Sequence, residues 1–351
     1  MRQHRTALLA CSILAAAVAA PLACGGGGSG GSTGASTTRA ATTTTGSGMG
    51  GQGGQDLFDA GSDDVVSITI TPENPTIEVV NGVLPAALVF TAKGITKGGA
   101  SVDLANGSWD LDRLDLGAID NTSGSFTASG LVGGVGKVKL TYGGTSGTTN
   151  ATVKLHFTSE PQPIDPSIKG QFGQAGQADP AMALLYPYDK TVFPRGLIGP
   201  TIQWNGGSPA DIYYLHATSS TFEYEAWTMV PPPSRYDLPA EIWKKLTDSV
   251  SGDITLSLQR HDGSQAYLGT TRTWTIAPAN LAGTIYFWEV NSGNVVRINP
   301  GDNAPQDFLQ KPPGETCVAC HSVSKNGSRL VASFKGGYSP WGTFDAATGA
   351  S

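Results

Sequence analysis

The sequence predicts an all-β protein: tandem β-sandwich domains behind a disordered tether, ending in a short run of antiparallel hairpins. Three observations carry that prediction. Only 14% of the 351 residues are charged while 47 are glycine, a balance suited to many short strands and turns. Apolar residues recur at every second position in short segments such as Val66, Ile68 and Ile70, or Val153, Leu155 and Phe157. Turn dipeptides such as Asn81-Gly82, Asn106-Gly107 and Gly143-Gly144 punctuate those segments. The length accommodates two or three domains.

The chain begins with a basic start (Arg2, His4, Arg5) and an apolar run from Leu8 to Ala20, too short to span a membrane as a mature helix. Pro21-Leu22-Ala23-Cys24 follows and resembles the lipobox of bacterial lipoproteins, although Pro21 stands where that pattern usually has Leu. The resemblance implies a signal peptide over residues 1–24 and a lipid on Cys24. Plain secretion with cleavage near Ala19 or Ala20 is the alternative. Residues 25–62 are Gly, Ser and Thr of low complexity, with too little apolar surface to offset the entropy of ordering, and are expected to be a flexible tether.

Residues 64–158 are expected to form the first folded unit. Strands are predicted around 66–70, 88–92, 138–142 and 153–157, with Pro72 and Pro75 ending the first. Phe90-Thr91-Ala92, Trp109-Asp110 and Gly124-Ser125-Phe126-Thr127-Ala128-Ser129-Gly130 resemble the bacterial immunoglobulin-like domains of surface proteins. That resemblance implies a sandwich with Trp109 in its core and a spacer or adhesion role. Asp110, Asp112 and Asp115 lack a Gly-centred calcium loop and read as a solvated strand face.

Residues 159–179 read as a linker rich in Pro, Gly and Gln. A second unit is expected over 180–278, with strands at 201–204, 212–215, 254–258 and 273–276 and one helix over 238–246. Its Pro187-Tyr188-Asp189 entry and Trp204 resemble fibronectin type III-like modules. Trp204 and Tyr214 are expected in the core. Tyr224, Trp227 and Trp243 are read as core or edge packing, with a carbohydrate platform as the alternative.

Residues 283–351 change character. Ile285–Val290 and Val295–Ile298 flank an Asn291-Ser292-Gly293-Asn294 turn. Ser324–Phe334 and Gly342–Gly349 resemble the blades of TolB-like and WD-repeat β-propellers, in which a strand ends in Asp-x-x-Thr-Gly. One or two blades cannot bury their faces alone, so this segment is expected to be a truncated part of a larger array.

Within it lies Cys317-Val318-Ala319-Cys320-His321, the Cys-x-x-Cys-His attachment pattern of a c-type haem. Two thiols at this spacing reach neighbouring vinyl groups, and the adjacent His supplies an axial nitrogen to the iron. The remaining cysteines, Cys11 and Cys24, fall in the export signal. The expected cofactor is therefore covalent haem c, with Cys317 and Cys320 as thioether residues and His321 as proximal iron ligand. A structural disulfide, a redox thiol pair or a metal site are the alternatives. The distal ligand is not evident: Met49, Met182, Met229, His156, His216 and His261 are candidates by type alone, and an ordinary cytochrome c would place helices and a Met after the motif.

The net charge of −6 and the lack of a basic cluster argue against nucleic acid as a partner. No nucleotide loop, Ser/His/Asp context or paired-carboxylate signature is present, so a carrier or binding protein is expected rather than a hydrolase. Two functions stay open: a cell-envelope haem lipoprotein passing electrons to a redox partner, and a non-catalytic surface lipoprotein binding protein or glycan with Cys317–Cys320 as a disulfide. Either would sit at the outer membrane, facing the periplasm or the cell surface.

Overall fold

Alternation of side chains decides which face of each strand is buried, and the large sheet of this protein shows it plainly. The computed structural model describes residues 64–334 and 340–351, apart from the side chain of Ala319. The signal peptide, Cys24 and the 25–62 tether lie outside the described residues.

The first module contains β1 (Val65–Thr71), β2 (Thr76–Val80), β3 (Leu88–Val89), β4 (Thr91–Thr96), β5 (Ser101–Asp103), β6 (Ser108–Leu111), β7 (Gly117–Ile119), β8 (Ser125–Ala128), β9 (Gly134–Tyr142) and β10 (Thr145–Ser159). Three-stranded sheets β1-β4-β5 and β3-β8-β7 lie beside β6, β9, β10 and β2, which belong to a nine-stranded sheet. The predicted 88–92 strand is split at Phe90, whose N–H donates to Gly124 O (3.0 Å) while its ring packs on Trp109 at 6.2 Å between centroids. Gly124 is required there: its φ is +69°, and a Cβ would stand 2.7 Å from Phe90 O and 2.8 Å from the Trp109 ring. Trp109 is buried, as expected.

Helix α1 (Pro166–Phe172) falls inside the segment read as linker. Asp165 caps it, its carboxylate accepting from Ser167 N at 2.8 Å, with Pro166 in the first turn. The helix docks through Phe172, whose ring lies 5.4 Å from Tyr214 and whose carbonyl accepts from Gln259 Nε2 (3.0 Å).

The second module follows as β11 (Ala183–Tyr186), β12 (Thr191–Arg195), β13 (Thr201–Asn205), β14 (Ile212–Thr218), β15 (Phe222–Thr228), β16 (Ser234–Asp237), α2 (Ala240–Ser249), β17 (Gly252–His261) and β18 (Thr270–Asn280). Sheet β11-β13-β16 packs on the large sheet, with Trp204 against Tyr213 (4.9 Å) and the Tyr224 and Tyr236 hydroxyls 2.6 Å apart across the layers. The expected core residue Tyr214 is instead half-buried on the outer face. Its neighbour Tyr213 is fully buried, because strand parity lets only one of two adjacent residues face inward. Ile242, Trp243 and Leu246 bury one face of α2, and Trp243 meets Phe193 edge-on at 5.2 Å. Arg260 is buried between Asp179 (2.7 Å) and Asp211 (2.9 Å), and each carboxylate fixes one end of the guanidinium.

The nine-stranded sheet runs β12-β18-β17-β14-β15-β10-β9-β6, with β2 beside β10. β10 joins the two modules. Thr152 and Val153 pair with both β9 and β2, and Leu155 and His156 pair with both β2 and β15. β9 and β15 therefore succeed each other along one edge of β10, with β2 along the other. The β10–β15 ladder is parallel, from Leu155↔Phe222 to Ser159↔Ala226. One core cluster accordingly extends from Ile70 to Ile276.

The C-terminal module is a pair of three-stranded antiparallel sheets: β19 (Ile285–Glu289), β20 (Asn294–Ile298), β21 (Gln306–Leu309), then β22 (Val318–Val323), β23 (Arg329–Phe334), β24 (Trp341–Asp345). They share a small core of Val295, Leu309, Val318, Leu330, Ala332 and Ala346.

Trp109→Ala is expected to lower unfolding stability by about 3–5 kcal/mol, the penalty for emptying a large aromatic site. Urea unfolding followed by circular dichroism checks it; a loss under about 1 kcal/mol would contradict the burial described here.

Candidate functional site

The C-terminal hairpins are closed by two copies of one turn. Glu289 accepts from Asn291 N (3.0 Å) and Ser292 N (2.6 Å), and Gly293 N donates to Glu289 O (2.9 Å) with φ +74°. Asp345 accepts from Ala347 N (3.0 Å) and Thr348 N (2.9 Å), and Gly349 N donates to Asp345 O (2.8 Å) with φ +75°. A carboxylate that receives two backbone donors closes the turn, and only Gly takes the left-handed position without cost. Hydrogen bonds from the Ser292 side chain and backbone, then from Asn291 N, hold the Glu289 carboxyl down at about 2.

The Cys-x-x-Cys-His stretch is seated on the first of these turns. Val318 N donates to Gly293 O at 2.7 Å, and Gly293 packs so closely that a Cβ would meet Thr316 O at 2.5 Å and Cys317 Cβ at 3.4 Å. Val318 is fully buried and anchors the motif in the shared core. The motif then enters β22 rather than a helix. Val318 pairs with Phe334 and His321 with Ala332, so Ala319 and Cys320 together oppose Ser333 in a β-bulge.

Cys317 is half-buried, Cys320 is exposed, and neither thiol is in a disulfide. His321 is half-buried, its Nε2 3.3 Å from Tyr286 O. Adjacent strand residues project to opposite faces, so Cys320 opens to solvent while His321 turns toward β19.

The other expected residues are dispersed. Met182 is buried in the second module's core and Met229 is half-buried, neither near the motif in the chain's packing; Met49 lies outside the described residues. Tyr224 and Trp243 are core residues, whereas Trp227 stacks on Tyr214 at 4.9 Å beneath the Lys169 ammonium, so the three form no shared platform. Asp110 and Asp112 are exposed, Asp115 pairs with Arg113, and the three do not converge as ligands. A cleft of about 760 Å³ lies between the second and C-terminal modules, lined by Arg195, Leu197, Trp243, Lys244, Asn280 and Asp302 among others. His156 and His216, distal-ligand candidates by type, lie instead over the β10–β15 seam in a polar group with Glu78, Glu223 and Glu225, which sequence reading left out. Its only sequence signal is the i, i+2 spacing of Glu223 and Glu225 and the polar alternation of Tyr214 and His216.

No protein-family model matches the sequence, and no curated protein is recognisably similar to it. Among solved structures, domains 4 and 5 of the S-layer protein SbsC align over 61% of this chain and 99% of theirs, at 11% identity and a TM-score of 0.21. SbsC domains 1–6 align over 81% of this chain, which spans 37% of that structure, at 12% identity and a TM-score of 0.21. Human protocadherin-24 EC1-2 aligns over 60% of this chain and 99% of its own, at 9% identity and a TM-score of 0.19.

Gly293→Ala forces a left-handed residue to carry a Cβ against Thr316 and Cys317. It is expected to cost at least about 1–2 kcal/mol and to raise the rate at which a thiol reagent labels Cys317. Unchanged stability and labelling would show that the turn does not hold the motif.

Proposed function

We propose that this chain is an exported, lipid-anchored stalk that holds a C-terminal β-module away from the cell envelope and binds protein or glycan there without catalysis. The observation that carries the reading is the single nine-stranded sheet shared by two successive modules through β10. A shared ladder makes a stiff body from modules that a free linker would leave swinging. The export signal, the lipobox-like Cys24 and the Gly/Ser/Thr tether supply the attachment. No helix among the described residues is long and apolar enough to cross a membrane, and the reading takes a lipid on Cys24 as its anchor. The cleft between the second and C-terminal modules, with apolar Leu197 and Trp243 beside Arg195 and Asp302, is the natural place for a ligand. Cys24→Ala is expected to move the protein from the membrane fraction to the soluble fraction in cell fractionation. A variant that stays membrane-bound would refute the lipid anchor.

A second reading is covalent haem c on Cys317 and Cys320 with His321 as iron ligand, and electron transfer to a redox partner. The free thiols and their access to solvent favour it. Expressed with c-type maturation machinery, the chain would then keep haem on a denaturing gel, and Cys317→Ala or Cys320→Ala would lose it. A haem-free product from a competent host leaves the stalk as a binding protein alone.

A further inference from the structure

The backbone registers around the module seam force a polar cluster onto one face of the large sheet. Glu78 of β2 pairs with Lys154 of β10, His156 of β10 with Glu223 of β15, and His216 of β14 with Glu225 of β15. Alternation then turns all six side chains to the same face. His216 Nε2 stands 2.8 Å from Glu223 Oε1, His156 Nε2 2.9 Å from Glu225 Oε2, and His156 Nδ1 3.2 Å from Glu78 Oε1. The donor atoms of His216, Glu223 and Glu225 lie within 4.8 Å of one another, as do those of Glu78, His156 and Glu223. The inner side chains are withdrawn from water, with Glu223 only 18% and Glu225 only 20% exposed.

Charge and orientation both suit a cation. Three carboxylates face one ammonium, Lys154, leaving two negative charges uncompensated when the imidazoles are neutral. Partial burial makes that surplus costly. The carboxylates are also held from behind. Tyr214 donates its hydroxyl to Glu225 Oε1 at 2.5 Å, and Lys154 donates to Glu223. Such outer partners aim a ligand's free oxygen.

We propose that His216, Glu223 and Glu225 form a binding site for a divalent transition-metal ion of the zinc class. Imidazole and carboxylate donors in one tight group match that class. An ion held there joins β14 to β15, beside the parallel seam with β10. Binding needs neutral imidazoles, so affinity falls as the pH drops through the histidine range.

The test uses zinc chloride on the untagged full chain carrying Cys317→Ser and Cys320→Ser, which removes the other zinc-binding group. Calorimetry at pH 7.5 is expected to show one ion per chain, with a raised melting temperature that a chelator reverses. Glu225→Gln and His216→Ala should each weaken binding at least tenfold, and affinity at pH 5 should fall by a similar factor. No stoichiometric binding, or binding that both variants retain in full, would overturn the site. Should either variant fail to fold, the chelator comparison on the Cys317→Ser, Cys320→Ser chain decides: equal melting temperatures with and without zinc refute the site. Membrane release of Cys24→Ala is independent of this result.

Discussion

The architecture depends on one backbone ladder, the parallel pairing of Leu155–Ser159 with Phe222–Ala226. Each strand of a sandwich must bury one face and satisfy its edge. β10 is long enough, at 15 residues, to do this twice. Its first part closes the first module against β9, and its last part supplies the second module with a neighbour for β15. The consequences are local and energetic at once. Val153 and Leu155 enter the same core as Phe222, while His156 is delivered to the outer face opposite Glu223. Gly133 reflects the closeness at this junction. A Cβ there would stand 2.1 Å from Thr221 O, and its N–H donates to Ser249 Oγ at 2.8 Å. The junction is therefore packed and hydrogen-bonded through backbone atoms, which no surface substitution can easily loosen.

Much of this was legible residue by residue. Period-two alternation located β1, β10, β14 and β17, and the amphipathic stretch near Trp243 located α2 to within a few residues. Trp109 was identifiable as core through the resemblance of its surrounding segments to bacterial immunoglobulin-like domains. Parity was harder: Tyr213 and Tyr214 are chemically identical, and only the register with Thr228 and Trp227 decides which enters the core. Helix α1 was hidden because its informative residues, Asp165 and Pro166, sit in a Pro/Gly/Gln-rich segment that reads as linker on composition alone. The seam was not legible at all. Parallel pairing between β10 and β15 is a contact between residues about 67 positions apart, and alternation says nothing about which edge meets which. The His156–Glu223–His216 cluster inherits that illegibility, since its members meet only through the pairing.

The C-terminal module shows the opposite case, in which local chemistry speaks for itself. Glu289-x-x-Ser292-Gly293 and Asp345-x-x-Thr348-Gly349 close identical turns because each turn is made within five residues. Repetition of the turn brings repetition of what packs on it. Gly293 O receives Val318 N, while a Cβ on Gly349 would lie 3.4 Å from Phe308 O, so both turns are covered by the chain of a neighbouring strand or loop.

The Cys-x-x-Cys-His stretch stands between these two kinds of information. Its spacing is a statement about reactivity, legible without a fold. Its conformation is decided by Val318, whose burial against Leu330 and Ala332 draws the segment into an antiparallel ladder. Burying a Val side chain is worth about 1.5–3 kcal/mol, and the ladder adds hydrogen bonds of about 1 kcal/mol each. The bulge at Ala319 and Cys320 is the price of that anchoring: it lets Val318 stay in the core while His321 regains register with Ala332. The buried Val318 and the ladder on both sides of the bulge together decide the path of this segment.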